Sequence, residues 1–310
     1  MTLFTDTFLI ALIAGIAAAG VPLLLAGLGE QLSEKAGVLN VGIEGMMLGG
    51  AYLGFYIAWA TESTGLGFLG GILGGMLVAS LMVLFCVRMG LNQIVIGIAL
   101  TLGAEGATAL LHHVQFSRLY PRLSDVATWR IPGLADIPII GPALFDREPV
   151  VYLAVALVPI LVYVYRRTHL GLAVQAAGDK PAALDSAGQS VLAIRSFAVL
   201  GCGAMVGLGG AFMSIVGAGV FVPFMTHGNG FIGIVLAMLA RGRPLWVLFG
   251  AVLFGACLSA ATALQVAGVD IPTDVVQMLP FVAVMLVLLI AGRNAKLPAA
   301  LGAAYVRGER

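Results

Sequence analysis

Long apolar runs separated by short polar turns set the plan of this chain. They cover residues 8–28, 41–60, 66–87, 93–111, 150–165, 194–216, 231–240, 245–267 and 275–291. A helix needs about 20 apolar residues to cross about 30 Å of hydrocarbon, so most of these runs read as membrane spans. The run at 231–240 is too short to cross alone. It reads as a half-helix, or as a helix extended into Asn229 and Gly230. Residues 31–40 are too polar for an ordinary span, and they suit the continuation of a broken one. The pattern predicts an all-α, polytopic membrane helix bundle of eight to ten transmembrane helices, one or more of them broken or half-length, in one domain over residues 1–310.

Composition supports the same class. The chain is 60% hydrophobic and 10% charged, where soluble domains carry about 25% charged residues. A net charge of +1 and the lack of a basic stripe give no reason to expect nucleic acid. Cys86, Cys202 and Cys257 lie in apolar runs and read as small buried thiols, neither a disulfide framework nor a metal site. Residues 1–6 lack the basic segment of a cleaved signal, so the first run is expected to be retained. Lys and Arg near span ends mark the cytoplasmic side. Arg88, Arg166, Arg167, Lys180, Arg241, Arg243, Arg293, Lys296, Arg307 and Arg310 fall together on that side, and the opposite turns carry Glu62, Asp270 and Asp274. Residues 113–149 hold four arginines and vote against this; alternation places them outside as an extracytoplasmic loop, its prolines suggesting short turns.

Polar residues inside apolar runs are the candidates for a transport path. Asn40 and Glu44 are four apart and share a face if that segment is helical. Two readings stand side by side: direct lining of a path, or a carboxylate bound to backbone at a helix break. Asn92 and Gln93 open a span as path or cap residues, and Glu105 lies deep in an apolar run. Asn229, beside the short apolar run, is a candidate half-helix start. Phe221 and Phe224 read as membrane anchors, with base stacking as the alternative. Many of the 42 glycines are spaced by four, as in Gly45/Gly49, Gly67/Gly71/Gly75 and Gly203/Gly207, which lets helices approach closely. No GxxxxGK[ST] loop is present, so this chain does not hold nucleotide in a phosphate-cradling loop. The histidines are scattered, and Ser214 with His227 has no spacing that supports a nucleophile–base pair.

The segment 166–190 is of another kind. Residues 170–177 form a candidate short helix closed by Gly178, and Asp179 then caps a second one with Pro181 in its first turn. Two short Ala- and Leu-rich helices suit a groove on a soluble partner; a capped interhelical loop is the plainer reading.

Three blocks in order resemble a known family. They are Leu39-Asn40-Val41-Gly42-Ile43-Glu44-Gly45-Met46-Met47, the loop from Thr168 to Gly188, and Gly230-Phe231-Ile232-Gly233-Ile234 with Arg241-Gly242-Arg243-Pro244-Leu245. The chain resembles, over nearly its whole length, the permease subunits of bacterial ABC importers in the nucleoside and simple-sugar branch, related to ribose and branched-chain amino acid permeases. The resemblance implies that Leu170, Gly171, Gly178, Asp179, Pro181, Ala187 and Gly188 belong to the segment that docks on an ABC ATPase. Ala173 and Gln175 stand where the family often has arginine. It implies further partners: a second permease subunit, identical or different, and an extracytoplasmic substrate-binding protein. ATP and Mg are expected on the ATPase, with no cofactor, metal or enzyme activity in this chain. The location implied is the bacterial cytoplasmic (inner) membrane. The expected cargo is a small polar solute, first a nucleoside, alternatively a simple sugar. The rival is a secondary transporter ion-coupled through Glu44 and Glu105, which would have no use for a docking loop.

Overall fold

The computed structural model describes residues 6–266 and 297–305, with three single positions between them. Apart from those positions, the predicted run at 275–291 lies outside the described residues, as do Asp270, Asp274, Arg293, Lys296, Arg307 and Arg310.

The first helix, α1, runs Asp6–Lys35, about 45 Å at 1.5 Å per residue. It continues past the apolar run into Glu30, Gln31, Ser33 and Glu34, all of them buried. It stops where Gly37 takes φ +89°. The Gly37 amide then donates to the Glu34 carbonyl (2.9 Å) and the Val38 amide to the Ser33 carbonyl (3.0 Å), which closes the helix with a left-handed glycine cap. The chain re-enters the bundle as α2, Ile43–Thr61. Helix α3, Thr64–Met82, begins at the Ser63 cap and ends in a wider π turn, Val83–Arg88. Helix α4 spans Gln93–Phe116.

A two-stranded ribbon, β1 (Trp129–Arg130) with β2 (Asp146–Arg147), and the short α5 (Ile140–Leu144) fill the loop after α4. Helix α6 is Pro149–Arg167, followed by α7, His169–Asp179, and α8, Pro181–Ser186. Helix α9, Val191–Phe212, also ends in a π turn, Met213–Gly217. Helices α10, Asn229–Leu239, and α11, Pro244–Val266, complete the described bundle. Among the described residues, five helices are long and apolar enough to cross a membrane: Phe8–Lys35, Thr64–Arg88, Gln93–Phe116, Pro149–Arg167 and Val191–Gly217. Helix α2 is buried along most of its length, and α10 is the short apolar helix of 11 residues that the pattern anticipated.

Glycine sets how closely the centre packs. A methyl added at Gly75 would fall on the Gly203 carbonyl, and one at Gly210 on the Met47 carbonyl. Gly50 and Gly54 of α2 meet Gly207 and Ala211 of α9 in the same way. Helices α2, α3 and α9 therefore touch backbone to backbone, as lipid-embedded helices with small residues do. Around them α1, α6, α10 and α11 bury a second cluster that includes Leu24, Leu28, Val158, Leu236 and Val247.

One end of the bundle gathers the positive residues. There Gly90 neighbours Ala304, the Ala300 amide donates to the Gly178 carbonyl, the Gly302 amide donates to the Gly37 carbonyl, and Gly242 lies beside Lys35. The loop after α4 is tied elsewhere, through the Leu123 amide to the Gly219 carbonyl beyond the end of α9.

The segment 166–190 differs in one detail from the sequence expectation. Gly178 does not end its helix, and Asp179 does not cap the next one. Helix α7 runs through both, and Lys180 lies between α7 and α8. The reason is packing: Gly178 presses on the Lys35 carbonyl and stands 3.0 Å, at its added-methyl position, from the Gly37 amide. The glycine serves close approach here, while Lys180 carries the turn.

Candidate functional site

Glu44 sits in the first turn of α2 and is 3% exposed. Its Oε1 accepts a hydrogen bond from the Gly228 amide (2.8 Å), and its Oε2 accepts one from the Gly230 amide (2.7 Å). These amides stand at the start of α10, where a helix leaves its first N–H groups unpaired. A carboxylate there satisfies the donors and complements the positive end of the helix. Both glycines are required by geometry. Gly228 has φ +83°, and a side chain at Gly230 would meet Glu44 within 2.7–2.9 Å. Glu44 thus fixes a helix that begins inside the bundle.

Between the two glycines, Asn229 turns towards the Met213 sulfur (3.8 Å from Nδ2) and into a cavity of about 760 Å³. Its wall comes from α1, the end of α9, the start of α10, and α11. His227, Met213, Met225, Pro22 and Ser259 line it with Asn229. The volume falls within the range of small-molecule sites, and the wall is mostly apolar with a few polar groups. Ser259 keeps its hydroxyl on the Leu12 carbonyl (2.7 Å).

The other sequence candidates fall elsewhere. Asn40 is fully buried behind the break; its amide donates to Glu30 Oε1 (3.0 Å), and its Nδ2 faces the sulfurs of Met46 and Cys202 (3.2 and 3.3 Å). Gln93 reaches across to accept from the Leu39 amide (2.8 Å), tying α4 to the 37–42 linker. Asn92 caps α4, accepting from the Ile94 and Val95 amides (3.0 and 3.1 Å). Glu105 is half-buried on α4 and away from the cavity. Phe221 is fully buried in an aromatic nest with Tyr52, Phe55 and His112, whereas Phe224 is exposed. The Ser214 hydroxyl donates to the Ala51 carbonyl (2.8 Å), a packing role with no base beside it.

Sequence reasoning passed over two sets of residues. Glu30, Gln31 and Glu34 form a buried polar face at the lower end of α1, and Glu30 holds the 37–42 linker through Asn40. Arg195, 3% exposed, donates to the carbonyls of Ala303 (2.7 Å) and Ala177 (3.2 Å). It joins α9, α7 and the tail segment. The signal for both was a charge within a helical run, the same signal that singled out Glu44.

In the segment 166–190, Thr168 caps α7 by accepting from the Gly171 amide (3.1 Å). Gly171 packs on the Val164 carbonyl. Leu170 and Leu172 point outward, 53% and 66% exposed, and Asp179, Ala187 and Gly188 are also exposed. Pro181 starts α8 and is half-buried. The bundle therefore presents an apolar, uncovered helix face at its positive end.

Residues 12–289 match the family described as branched-chain amino acid transport system, permease component. The chain belongs to this ABC transporter permease family. The putative glucose ABC transporter permease of Haloferax volcanii is 39% identical over 236 residues, covering 75% of this chain and 71% of that one. The nucleoside ABC transporter permease of Lactococcus lactis is 30% identical over 298 residues, covering 93% and 94%. The guanosine ABC transporter permease of Bacillus subtilis is 30% identical over 300 residues with the same coverage. The permease is a multi-pass protein of the cytoplasmic membrane and not an enzyme; ATP is hydrolysed by a separate subunit. As in ABC permease systems generally, it works with an ATPase and a substrate-binding protein.

Proposed function

We propose that this permease subunit forms the translocation path for a nucleoside, with the cavity beside Asn229 as a station on that path. The observation that carries the reading is the pair of nucleoside and guanosine permeases that match along 93% of this chain and 94% of their own. The cavity agrees with it: a broad apolar wall suits a base, and Asn229 with His227 supplies hydrogen-bonding groups for ribose or base edge. A simple sugar is the second reading, favoured by the 39% identity to a putative glucose permease.

Coupling would begin at the positive end, which we read as cytoplasmic. An ATPase seated on Leu170–Gly188 would move α7, and Gly178 would pass that motion to Lys35 and Gly37. The 37–42 linker leads on to α2, whose Glu44 holds the head of α10. ATP and Mg remain on the ATPase throughout. A second permease chain, the same or a different one, would complete the path. The exposed docking face argues against the ion-coupled rival.

The test is uptake in cells that express the permease with its neighbouring ATPase, partner permease and binding-protein genes. Saturable uptake of labelled guanosine or uridine that excess glucose does not inhibit is expected. Uptake of labelled glucose with no nucleoside uptake would move the assignment to the sugar reading.

A further inference from the structure

A second cavity, of about 310 Å³, opens at the positive end between α6, α7 and α11. Among the described residues, three cations line it, Lys35, Arg166 and Arg243, and no carboxylate does. Glu34 and Asp179 act on Lys35 from outside the wall. Neither arginine has an ion pair among the described residues. Tyr165 also lines the cavity; it is 8% exposed, and its hydroxyl is buried away from the opening. Lys35 Nζ stands 4.8 Å over the Tyr165 ring, so the cation is held at the wall. The first residues of α11, Pro244 and Leu245, close another side, which adds the positive end of a long helix. Trp246 completes the wall and meets Phe249 edge-on one turn further along α11 (5.9 Å between rings), both more than half exposed.

Three positive charges and a helix N-terminus specify an anion with oxygen acceptors. The exposed aromatic pair beside them specifies an apolar continuation. We propose that this cavity holds the headgroup of an anionic phospholipid. The phosphate lies among Lys35, Arg166 and Arg243, and its acyl chains lie along Trp246 and Phe249. Basic pockets between transmembrane helices at the cytoplasmic boundary bind such headgroups. Because Gln175 of α7 shares the wall, the lipid braces the docking helix against α6 and α11. The inner leaflet as the source rests on reading this end as cytoplasmic; binding in detergent does not depend on that reading, so the two fail separately.

The experiment is native mass spectrometry of the full-length permease in detergent, titrated with dioleoylphosphatidylglycerol or dioleoylphosphatidylcholine. One tightly retained phosphatidylglycerol is expected. Removing both arginines in R166Q/R243Q should weaken its retention by about 25-fold, on a scale of about fivefold per cation near a membrane surface. The single variant R243Q, which leaves Lys35 and Tyr165 in place, should weaken it about fivefold and keeps the test open if the double variant fails to fold. Phosphatidylcholine should be retained weakly and equally by all three proteins. Equal phosphatidylglycerol retention by the wild type and both variants would overturn the proposal. Displacement of the lipid by millimolar glycerol phosphate or inorganic phosphate would also overturn it, in favour of a free-anion site. Loss of ATPase co-purification in R166Q/R243Q with lipid retention unchanged would reassign the cations to a protein contact.

Discussion

Glu44 and Gly230 stand 186 positions apart, and 2.7 Å separates the carboxylate oxygen of one from the amide nitrogen of the other. With the companion bond to Gly228, this contact lets α10 begin within the bundle. Asn229, held between the two bonded glycines, is thereby aimed into the cavity.

Removing that carboxylate should be costly. Glu44→Ala leaves two inward amides unpaired, each worth about 1–3 kcal/mol. The variant should melt well below the wild type in detergent and lose uptake. Glu44→Gln retains one acceptor and should fall between them. Wild-type melting and uptake in Glu44→Ala would show that the cap is dispensable.

Asn229 and Asn92 separate path from scaffold. Asn229→Ala should raise the KM for uptake about threefold to tenfold, the loss of one ordinary hydrogen bond, with little change in melting. Asn92→Ala should do the reverse, costing about 1 kcal/mol of helix cap and leaving KM alone. Kinetics and melting curves of the pair decide the matter; a KM effect from Asn92→Ala alone would reverse the assignment.

Gly178→Ala places a methyl against the Lys35 carbonyl and the Gly37 amide. It should insert normally but lose most ATP-dependent uptake. Gly188→Ala meets open space and bears only the strain of φ +80°, about 1–2 kcal/mol. It should transport nearly as well as the wild type. If both variants behave alike, the α7-to-α1 contact does not transmit docking.

The glycine packing makes a prediction about position rather than residue type. Gly75→Ala collides with the Gly203 carbonyl and should prevent stable folding. Gly106→Ala has nothing within 4 Å and should be neutral or stabilise by up to about 1 kcal/mol in the isolated chain. Expression and melting of the two variants provide the check.

Orientation has its own measurement. In a cysteine-free background, Ser186→Cys should resist an impermeant thiol reagent in intact cells, whereas Leu134→Cys should react. The opposite pattern would invert the bundle in the membrane.

Most of the helix plan was legible because lipid demands long apolar runs, and the run of 10 residues at 231–240 stands out against them. The choice between the two roles for Glu44 was not legible. Its partners are backbone amides 184 and 186 positions away, and backbone leaves no mark in a residue pattern. Gly178 was misread for a local reason: glycine commonly ends helices, and only the neighbouring Lys35 carbonyl shows that here it permits contact instead. Residues 31–40 read as the continuation of a broken span, and α1 carries Gln31 and Glu34 on to Lys35; the burial of these side chains and of Glu30 was not legible, because it comes from partners distant in sequence.

The 11 residues of α10 have an electrical consequence. At 1.5 Å per residue the helix is about 16 Å long, roughly half the thickness of a bilayer core. A cavity that reaches its head leaves that length of packed protein as the insulation against ion leakage. Much of the membrane voltage would then fall across α10 and its neighbours, and a small outward tilt of this one helix would thin the seal where the field is steepest.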